Sequence, residues 1–341
     1  MRRKKIAFIT GITGQDGSYL AKLLLENNYR VFGLVRRSST YKYFRLKYLN
    51  ILEKVNFVYG DMTESDFVID QLKKIRPNIF YNLAAQSFVK YSFDNPKYTY
   101  DVNYKSVKSI LDYIVNNKLK IKFYQASTSE MYGNVNRGFQ DEKTKFKPTS
   151  PYASSKVKTH NLIKNYRNRY KLFFCSGILF NHESPLRGSE FVTKKIVSHL
   201  VKMKKYSSVL ELGNIYTVRD WGYAPEYVKS MYSIMQAKTP NDYVVATANS
   251  ITVKDFFIRC CEKLGYKLIF KGRGINEKCY DKRTGRLIMR VNKKHFRNSE
   301  LHYLKGNPLK IYKDLGFKAK VNVDDLINIM IKEEKKFTNL I

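Results

Sequence analysis

Cysteine is scarce in this sequence, which holds four cysteines among 341 residues, at positions 175, 260, 261 and 279. No two of them have the Cys-x-x-Cys spacing, and none of the intervals is typical of a metal site. We therefore expect no bound metal, and we interpret the four cysteines as buried or incidental thiols in a reducing cytosol.

Long hydrophobic runs are missing as well. Basic residues at positions 2–5 precede an apolar run and imitate a signal peptide, but Gly11, Gly14 and Gly17 interrupt that run and no small-residue cleavage site follows. No later segment provides the roughly 20 apolar residues that a membrane span needs. The sequence therefore predicts a soluble, cytoplasmic protein without a membrane partner.

Acidic residues are few: the sequence has 29 Asp and Glu but 63 Lys and Arg, which gives a formal net charge of +34. Such an excess raises nucleic acid as a partner, because basic surfaces release counterions when they bind phosphates. The lysines, however, are spread along the whole chain rather than gathered in a tail or a block. We interpret the bias as general composition with a preference for anionic ligands, and we expect no nucleic-acid partner.

The first pattern that the sequence does contain is typical of nucleotide binding. A short β-prone run, Lys5 to Thr10, leads into Gly11-x-x-Gly14-x-x-Gly17 and then into leucines at helical spacing. The three glycines suit a tight turn, a close approach of backbone to a pyrophosphate, and close helix packing. The helix N-terminus then offers free N–H groups to phosphates. A chance glycine-rich turn is the alternative.

The second predicted strand, Tyr29 to Val35, ends in Arg36 and Arg37. An acidic residue at the end of this strand would bind the ribose hydroxyls of NAD. Arginine in its place favours the 2′-phosphate of NADP, with solvated arginines as the alternative.

Strand and helix patterns then alternate along the chain, which predicts an α/β fold with a Rossmann-type, doubly wound parallel sheet. Further strands are expected at 55–59, 78–83, 121–126 and 172–179, and helices at 64–75, 98–115 and 150–169. We assign residues 1–180 to this NADP-binding domain, with a return near 225–248. Residues 181–341 are expected to form mainly a smaller C-terminal α/β substrate lobe, with helices near 191–204, 226–236, 253–264 and from about 323, and a short strand at 209–212.

A cluster of proton-transferring side chains follows the predicted fifth strand and continues into the next helix. Thr128 and Glu130 lie just past the strand, and Tyr152 and Lys156 are four residues apart, so they share one helix face. A lysine ammonium about 6 Å from the phenol would lower its pKa by about two units, which would make tyrosine a usable base. Alone, Tyr-x-x-x-Lys is weak, because a helix that begins Ser-Pro-Tyr with a solvated lysine is common.

With these residues assembled, the chain resembles the GDP-mannose 4,6-dehydratase family of the extended short-chain dehydrogenase/reductase superfamily. The similarity runs from Ile6 to about the C-terminal helix. It is carried by GITGQDGSYL (11–20), RRSS (36–39), NLAAQS (82–87), QASTSEMYG (125–133), GILFNHESP (177–185), FVTKKI (191–196) and RDWG (219–222).

The resemblance implies a catalytic group of Thr128, Glu130, Tyr152 and Lys156. By this analogy, Tyr152 takes the proton of the sugar carbon 4 hydroxyl while hydride passes to NADP, and Lys156 holds the ribose. Glu130 then removes the carbon 5 proton, water leaves carbon 6 with help from Thr128, and the hydride returns to carbon 6. Without the surrounding motif, the alternative interpretation of Glu130 is a carboxylate at a strand end that forms a structural ion pair.

The resemblance also implies which residues bind the two ligands. The NADP-binding set is Gly11, Thr13, Gly14, Gln15, Asp16, Gly17, Arg36, Asp61, Met62, Leu83, Ala84, Ala85, Gln86, Ser87, Tyr98, Ser127, Tyr152, Lys156, His182 and Arg187. The set for the GDP-sugar is Ser87, Phe88, Asn181, Val192, Lys195, Arg219, Arg297 and Glu300.

Departures from the family pattern leave alternatives open. Phe88 and Tyr223 stand where the mannose enzymes carry His, so GDP-manno-heptose is a second possible substrate. Changes within residues 36–45, a loop that packs between subunits in tetrameric relatives, leave dimer or tetramer open for an expected homo-oligomer. A reductase or epimerase of the same fold is the other enzyme hypothesis, and a basic NADP-binding scaffold that touches nucleic acid is the non-enzyme hypothesis.

Overall fold

The computed structural model describes residues 4–135, 138–203, 208–296 and 300–339. Within these ranges the strands are β1 (Ile6–Thr10), β2 (Arg30–Val35), β3 (Asn56–Tyr59), β4 (Ile79–Asn82), β5 (Lys122–Thr128), β6 (Phe174–Leu179), β7 (Asn181–Glu183), β8 (Leu210–Leu212), β9 (Val218–Tyr223), β10 (Asp242–Val245), β11 (Ser250–Thr252), β12 (Leu268–Lys271), β13 (Lys278–Asp281) and β14 (Leu287–Val291).

The helices are α1 (Gln15–Glu26), α2 (Phe44–Tyr48), α3 (Ser65–Ile75), α4 (Val89–Asp94), α5 (Pro96–Tyr100), α6 (Ser106–Asn116), α7 (Pro151–Tyr170), α8 (Val192–Lys202), α9 (Ala224–Gln236), α10 (Val253–Lys263), α11 (Leu309–Leu315) and α12 (Val323–Asn339). The helix expected from Tyr98 to Val115 is present as the contiguous segments α5 and α6, and between them Asp101–Lys105 forms a π-turn, which is one wider turn of the same helical run. The Ser106 hydroxyl donates to the Asp101 carbonyl across this turn.

The main sheet is parallel and has the strand order β10-β6-β5-β4-β1-β2-β3. Its strands are mostly buried and largely apolar on both faces, as a sheet covered by helices on two sides requires. Ala7 and Ile9 of β1 point to the core under α1 and α9, whereas Phe8 points to the core under α3, α6 and α7. The predicted Rossmann-type doubly wound fold is confirmed.

A second core belongs to the later part of the chain. Helices α8, α10 and α12 pack around Trp221 and the sheet β12-β13-β14-β8, while β11-β9-β7 forms a three-stranded sheet beside the first lobe. Residues 224–245 return to the first lobe, because α9 packs on α1 and β10 pairs with β6. The expected domain limits stay a prediction.

Three observations bear on composition. The four cysteines are free and buried. Within the described ranges, no helix combines the length and the apolar character that crossing a membrane would require. The same ranges hold no cluster of three or more His, Cys, Asp or Glu side chains that could bind a metal ion.

Candidate active site

A cleft of about 660 Å³ opens at the carboxyl ends of the parallel strands. Its walls come from the glycine turn, the end of β5, the start of α7, the segment after β6, and α8 with the loop after β8. Open α/β sheets bind ligands at this edge, because the strand ends and helix N-termini meet there. The cleft is therefore the candidate active site.

The glycine turn packs tightly against neighbouring backbone because side chains are absent from it. Gly11 has a φ of +73°, and a Cβ built on it would lie 2.9 Å from the backbone nitrogen of Ala84. A Cβ on Gly17 would lie 2.3 Å from the carbonyl oxygen of Gly11. Gly14, Gln15 and Asp16 line the cleft where α1 begins. This backbone suits the pyrophosphate of a dinucleotide.

Beneath this turn, a buried ladder of polar side chains connects the central strands. The Thr10 hydroxyl donates to Asn82 Oδ1 over 2.8 Å, and Asn82 Nδ2 donates to Gln125 Oε1 over 2.8 Å. Gln125 Nε2 in turn donates to the Ala126 carbonyl over 2.9 Å. The ladder fixes the strand ends relative to one another and so fixes the floor of the cleft.

Tyr152 and Lys156 both reach the cleft from the first turns of α7. The helix begins cleanly because Pro151 occupies its first turn and the Ser150 hydroxyl accepts from the Ala153 N–H over 3.1 Å. Lys156 Nζ donates to the Ala126 carbonyl over 2.9 Å and lies 5.9 Å from the centre of the Tyr152 ring. The predicted shared face of the helix is present.

Thr128 and Glu130 line the same cleft as Tyr152 and Lys156. Thr128 ends β5, and its hydroxyl accepts from the Glu130 N–H over 3.2 Å, which starts a short 3₁₀ turn. The structure therefore brings the four predicted catalytic residues together at one point.

The expectation that Lys156 lowers the pKa of Tyr152 is wrong for this structure. Burial raises the pKa of Tyr152 above its usual value, while a side-chain hydrogen bond with Thr128 lowers it, the Glu130 charge raises it and the Arg187 charge lowers it. Lys156 is itself buried, which lowers its pKa to about 8. Burial, which penalises the charged form, is the largest contribution to the pKa of each group.

Asn103, in the π-turn, was not recognised as important from the sequence. Its side-chain oxygen accepts from the Gln86 N–H over 3.0 Å, and its amide nitrogen donates to the Gln86 carbonyl and to the Ser155 hydroxyl. The Thr159 hydroxyl donates to the Asn103 carbonyl over 2.6 Å. Asn103 therefore holds the loop after β4 against α7, a long-range contact that leaves no local signal in the sequence.

His182 and Asp16 form a buried pair at the opposite wall of the cleft. His182 Nε2 lies 2.8 Å from Asp16 Oδ2, its Nδ1 lies 2.8 Å from the Phe180 carbonyl, and its ring stacks on Tyr227. Burial alone would lower the pKa of His182, but the Asp16 carboxylate more than offsets this and raises it. The pair presents a histidine of enhanced basicity to the start of α1.

Arg45 is the second residue that sequence reasoning missed. Its Nε donates to the Leu186 carbonyl over 2.7 Å and its Nη1 to the Thr13 carbonyl over 3.2 Å, so it connects the glycine turn to the segment after β7. Arg45 lines the cleft beside Arg187, which forms a 3.0 Å ion pair with buried Glu183. Arg45 lies among several other basic residues in the sequence, so the sequence alone did not single it out as a residue of the site.

Arg36, the predicted NADP determinant, lies at the carboxyl end of β2 with an exposed side chain. Its Nη1 donates to the Tyr98 hydroxyl over 3.1 Å, and its Nε lies 3.9 Å from Asp61 Oδ2. Three predicted cofactor residues from separate segments are thus adjacent. They lie outside the lining of the cleft.

The remaining predicted cofactor residues fall into two groups. Those that line the cleft are Gly11, Gly14, Gln15, Asp16, Gly17, Leu83, Ala85, Ser87, Ser127, Tyr152, Lys156, His182 and Arg187. Those outside its lining are Thr13, Arg36, Asp61, Met62, Ala84, Gln86 and Tyr98.

Most of the predicted substrate residues also reach the cleft, namely Ser87, Phe88, Asn181, Val192, Lys195, Arg219 and Glu300. Arg297 lies outside the described residues. Lys195 Nζ donates to the Glu211 carbonyl over 2.6 Å, and Arg219 Nη1 donates to the Val218 carbonyl over 2.9 Å. Sequence reasoning missed further lining residues from loops of the second lobe, which are Gly213, Asn214, Thr217, Lys294, His295 and Phe296.

Comparison with known proteins connects this geometry to one family. A family model described as GDP-mannose 4,6 dehydratase matches residues 8–330. GDP-mannose 4,6 dehydratase 2 of Caenorhabditis elegans is 43% identical over 343 residues, covering 98% of this chain and 90% of the relative. GDP-mannose 4,6-dehydratase of Yersinia enterocolitica is 40% identical over 345 residues, covering 96% of this chain and 93% of the relative.

Solved structures that are similar have the same fold at low sequence identity. A dTDP-glucose 4,6-dehydratase of Streptomyces venezuelae with NAD bound superposes with a TM-score of 0.82 and 19% identity, covering 98% of each chain. A Thermus thermophilus UDP-glucose 4-epimerase in complex with NAD gives a TM-score of 0.80 and 21% identity, covering 97% of this chain and 99% of that one.

Proposed function

This chain belongs to the GDP-mannose 4,6-dehydratase family of enzymes, and on that basis we propose that it removes water from a GDP-linked sugar to give the 4-keto-6-deoxy sugar nucleotide. The observation that carries the proposal is the convergence of Thr128, Glu130, Tyr152 and Lys156 in one cleft beside a glycine turn. The turn suits a nicotinamide dinucleotide, because Gly14, Gln15 and Asp16 place the N-terminus of α1 at the cleft.

Tyr152 is the proposed base for the sugar carbon 4 hydroxyl. Burial raises the pKa of the phenol, and the Thr128 hydroxyl and the Arg187 charge oppose this increase. The Glu130 charge raises that pKa, so a proton taken by Tyr152 is retained while Glu130 is ionised. Bound NADP would supply hydride acceptance from carbon 4 and hydride return to carbon 6, which makes the net reaction a dehydration.

Glu130 distinguishes this proposal from a reductase or an epimerase of the same fold. Elimination of water needs a group that removes the acidic proton of carbon 5, and a carboxylate in the cleft can do this. Glu130 lies two residues from Thr128 and shares the cleft with it. The carbon 5 proton held by Glu130, together with the Thr128 hydroxyl, can then assist the departure of hydroxide from carbon 6.

We propose NADP rather than NAD as the cofactor because of the residues around Arg36. The exposed guanidinium of Arg36 stands at the end of β2, and Tyr98 holds it there through a 3.1 Å hydrogen bond. A guanidinium pairs well with a phosphate, whereas an acidic residue at this place would bind ribose hydroxyls.

The proposed sugar is mannose, with manno-heptose as the alternative. Relatives at about 40% identity carry the name GDP-mannose 4,6-dehydratase. Phe88, whose side chain is exposed at the cleft, is the residue that keeps the alternative open. Lys195 and Arg219 contribute positive charge near the proposed diphosphate.

The test is to incubate the protein with NADP and either GDP-mannose or GDP-manno-heptose and to follow the loss of one water by mass spectrometry. We expect loss from GDP-mannose, and loss from the heptose alone would move the chain to the other substrate. The Glu130→Gln variant should bind NADP and form no dehydrated product. Full turnover by that variant would contradict the role of Glu130, and no product from either sugar would contradict the proposed function.

We further propose that residues 1–180, with a return near 225–248, bind the cofactor and that 181–341 mainly bind the GDP-sugar. The enzyme is proposed to be a cytoplasmic homo-oligomer, dimer or tetramer. Exposed aromatic side chains on and beside α2 support self-association, since Tyr41, Phe44 and Tyr48 remain 63%, 49% and 38% exposed in the single chain. Sedimentation at micromolar concentration should show more than one copy, and a monomer would contradict this.

A further inference from the structure

The buried histidine His160 extends the catalytic face of α7 by one more turn. Tyr152, Lys156 and His160 occur at intervals of four residues, so they form one stripe along the helix. Lys156 donates to the Ala126 carbonyl, and His160 Nδ1 lies 3.1 Å from the hydroxyl of the next residue, Ser127. Two successive turns of the helix therefore contact two successive residues of β5, close to the point where Thr128 enters the cleft.

The side of the imidazole away from Ser127 faces a buried carboxylate. His160 Nε2 lies 3.9 Å from Asp242 Oδ2, and Arg167 binds both oxygens of Asp242 over 2.7 and 2.6 Å. The negative charge of Asp242 favours the imidazole tautomer with its proton on Nε2. Nδ1 then keeps its lone pair, so the Ser127 hydroxyl is the donor of the 3.1 Å hydrogen bond.

The imidazole is held in its neutral form. Burial lowers the pKa of His160, and although Asp242 raises it, Arg167 and Lys164 lower it. At neutral pH the ring therefore accepts a hydrogen bond and adds no charge near Lys156. Ser127 is itself 3% exposed and lines the cleft, so the direction of its hydroxyl affects what the cleft offers to a ligand.

We propose that His160 is a positioning residue for the cofactor. By accepting the Ser127 proton at Nδ1, it turns the lone pairs of the Ser127 oxygen toward the cleft, where they accept a hydrogen bond from an N–H or O–H of the nicotinamide nucleotide. The inference rests on the proposed function, because it requires that a nicotinamide nucleotide binds in this cleft. Nothing in the sequence marks His160, which lies inside an otherwise ordinary helix.

The test compares His160→Phe, which keeps an aromatic ring and removes the acceptor, with His160→Asn, whose amide oxygen can take the place of Nδ1. The readout is the dissociation constant for NADP in the intact protein, measured by calorimetry without any sugar nucleotide. We expect about a fivefold weakening for His160→Phe and about wild-type affinity for His160→Asn, since a lost hydrogen bond costs about 1 kcal/mol.

A double-mutant cycle with Ser127→Ala separates positioning from general packing. If His160 acts through Ser127, His160→Phe adds nothing to the weakening already caused by Ser127→Ala. Additive effects, or equal weakening by His160→Phe and His160→Asn, would overturn the inference. Wild-type protein that binds no nicotinamide nucleotide would instead overturn the proposed function itself.

The pH dependence of the affinity for NADP is an independent test, and it can be measured even if His160→Phe does not fold. Protonation of His160, which Asp242 favours and Arg167 and Lys164 oppose, converts Nδ1 into a donor and forces the Ser127 hydroxyl to turn. The affinity of wild type for NADP should therefore fall below pH 6.5 more steeply than that of His160→Asn. Identical pH profiles for the two proteins would contradict the positioning role.

Discussion

The charged ammonium of Lys156 is buried, and its burial lowers the stability of the folded protein. The ammonium is buried, and its pKa is lowered from 10.5 to about 8, so the unfolded chain binds more protons than the folded one between these two pH values. The penalty is complete below pH 8 and fades as the pH rises to 10.5. This is the cost of placing a cation beside the reacting tyrosine.

Lys156→Met is therefore expected to abolish turnover and to stabilise the fold. At pH 7 the variant should gain about 3 kcal/mol in the free energy of unfolding, because about 2.5 pKa units correspond to that energy. The Ala126 carbonyl keeps a donor, since Gln125 Nε2 also binds it. Urea unfolding at pH 7 and at pH 10.5 would measure the gain, which should vanish at the higher pH.

Lys164→Met, on the exposed side of the same helix, is the matched control and should leave stability within about 0.5 kcal/mol. A Lys156→Met variant less stable than wild type at pH 7 would show that the Ala126 hydrogen bond outweighs the desolvation of the ammonium.

Arg36→Ala is expected to weaken NADP about tenfold and to leave NAD binding nearly unchanged, because only NADP offers a phosphate to the guanidinium. Calorimetry with each nucleotide would measure the two affinities. Arg30→Ala, at the other end of β2, is the control and should alter neither. Equal losses for NADP and NAD would remove the reason for choosing NADP.

At the scale of elements, a buried ion pair connects the edge strand β10 to α7, in addition to the pairing of β10 with β6. Asp242 accepts two hydrogen bonds from Arg167 and one from the Ser176 N–H over 3.0 Å. Burial raises the pKa of Asp242, but the hydrogen bonds and charge of Arg167, together with the Ser176 N–H, more than offset this, so the pKa is lowered. The attachment therefore contributes stability above the usual carboxyl pKa of 3.8 and loses it as the pH falls below that value.

Asp242→Asn is expected to lower the free energy of unfolding by about 3 kcal/mol, because it leaves the Arg167 charge buried without a counter-ion. Chemical denaturation at pH 7 would measure the loss. Asp70→Asn breaks an exposed ion pair with Lys73 on α3 and should leave the free energy of unfolding nearly unchanged. Equal losses in the two variants would mean that burial of the Asp242 pair adds nothing.

At the scale of the whole molecule, positive side chains lie at both ends of the parallel strands, the carboxyl ends and the amino ends. A second hollow of about 590 Å³ lies at the amino ends of β1 and β4, on the edge away from the active site, and Lys4, Lys5, Lys73, Lys74 and Arg76 surround it. Exposed lysines of this kind attract polyanions in general, without specificity.

RNA is therefore expected to bind weakly at low salt and to be released when the salt concentration is doubled from a physiological value, since such binding depends on counterion release. A mobility-shift titration at the two salt concentrations would measure this. Tight binding that persists at the higher salt would favour the scaffold hypothesis over the enzyme.

Short-range sequence patterns predicted much of the fold and part of the candidate site. The glycine turn, the alternating strands and helices, and the spacing of Tyr152 and Lys156 are short-range features, so they were predictable from neighbouring residues alone. The predicted strands β1 to β6 agree with the structure within one or two residues at each end. The helix expected from Tyr98 to Val115 is also present, but its π-turn at Asp101–Lys105 was not predictable, because it is accompanied by a contact with α7, where the Thr159 hydroxyl donates to the Asn103 carbonyl.

What the sequence by itself determined is the fold class, the family and the identity of the four residues expected to do the chemistry. Only the tertiary structure decided which distant residues support them. Asn103, Arg45 and His160 each form a hydrogen bond with a residue more than 30 positions away in the sequence, as the Ser127 to His160 pair shows. It also decided the charge states, because the pKa of Tyr152 or Lys156 depends on burial, which arises only when separate segments exclude water together.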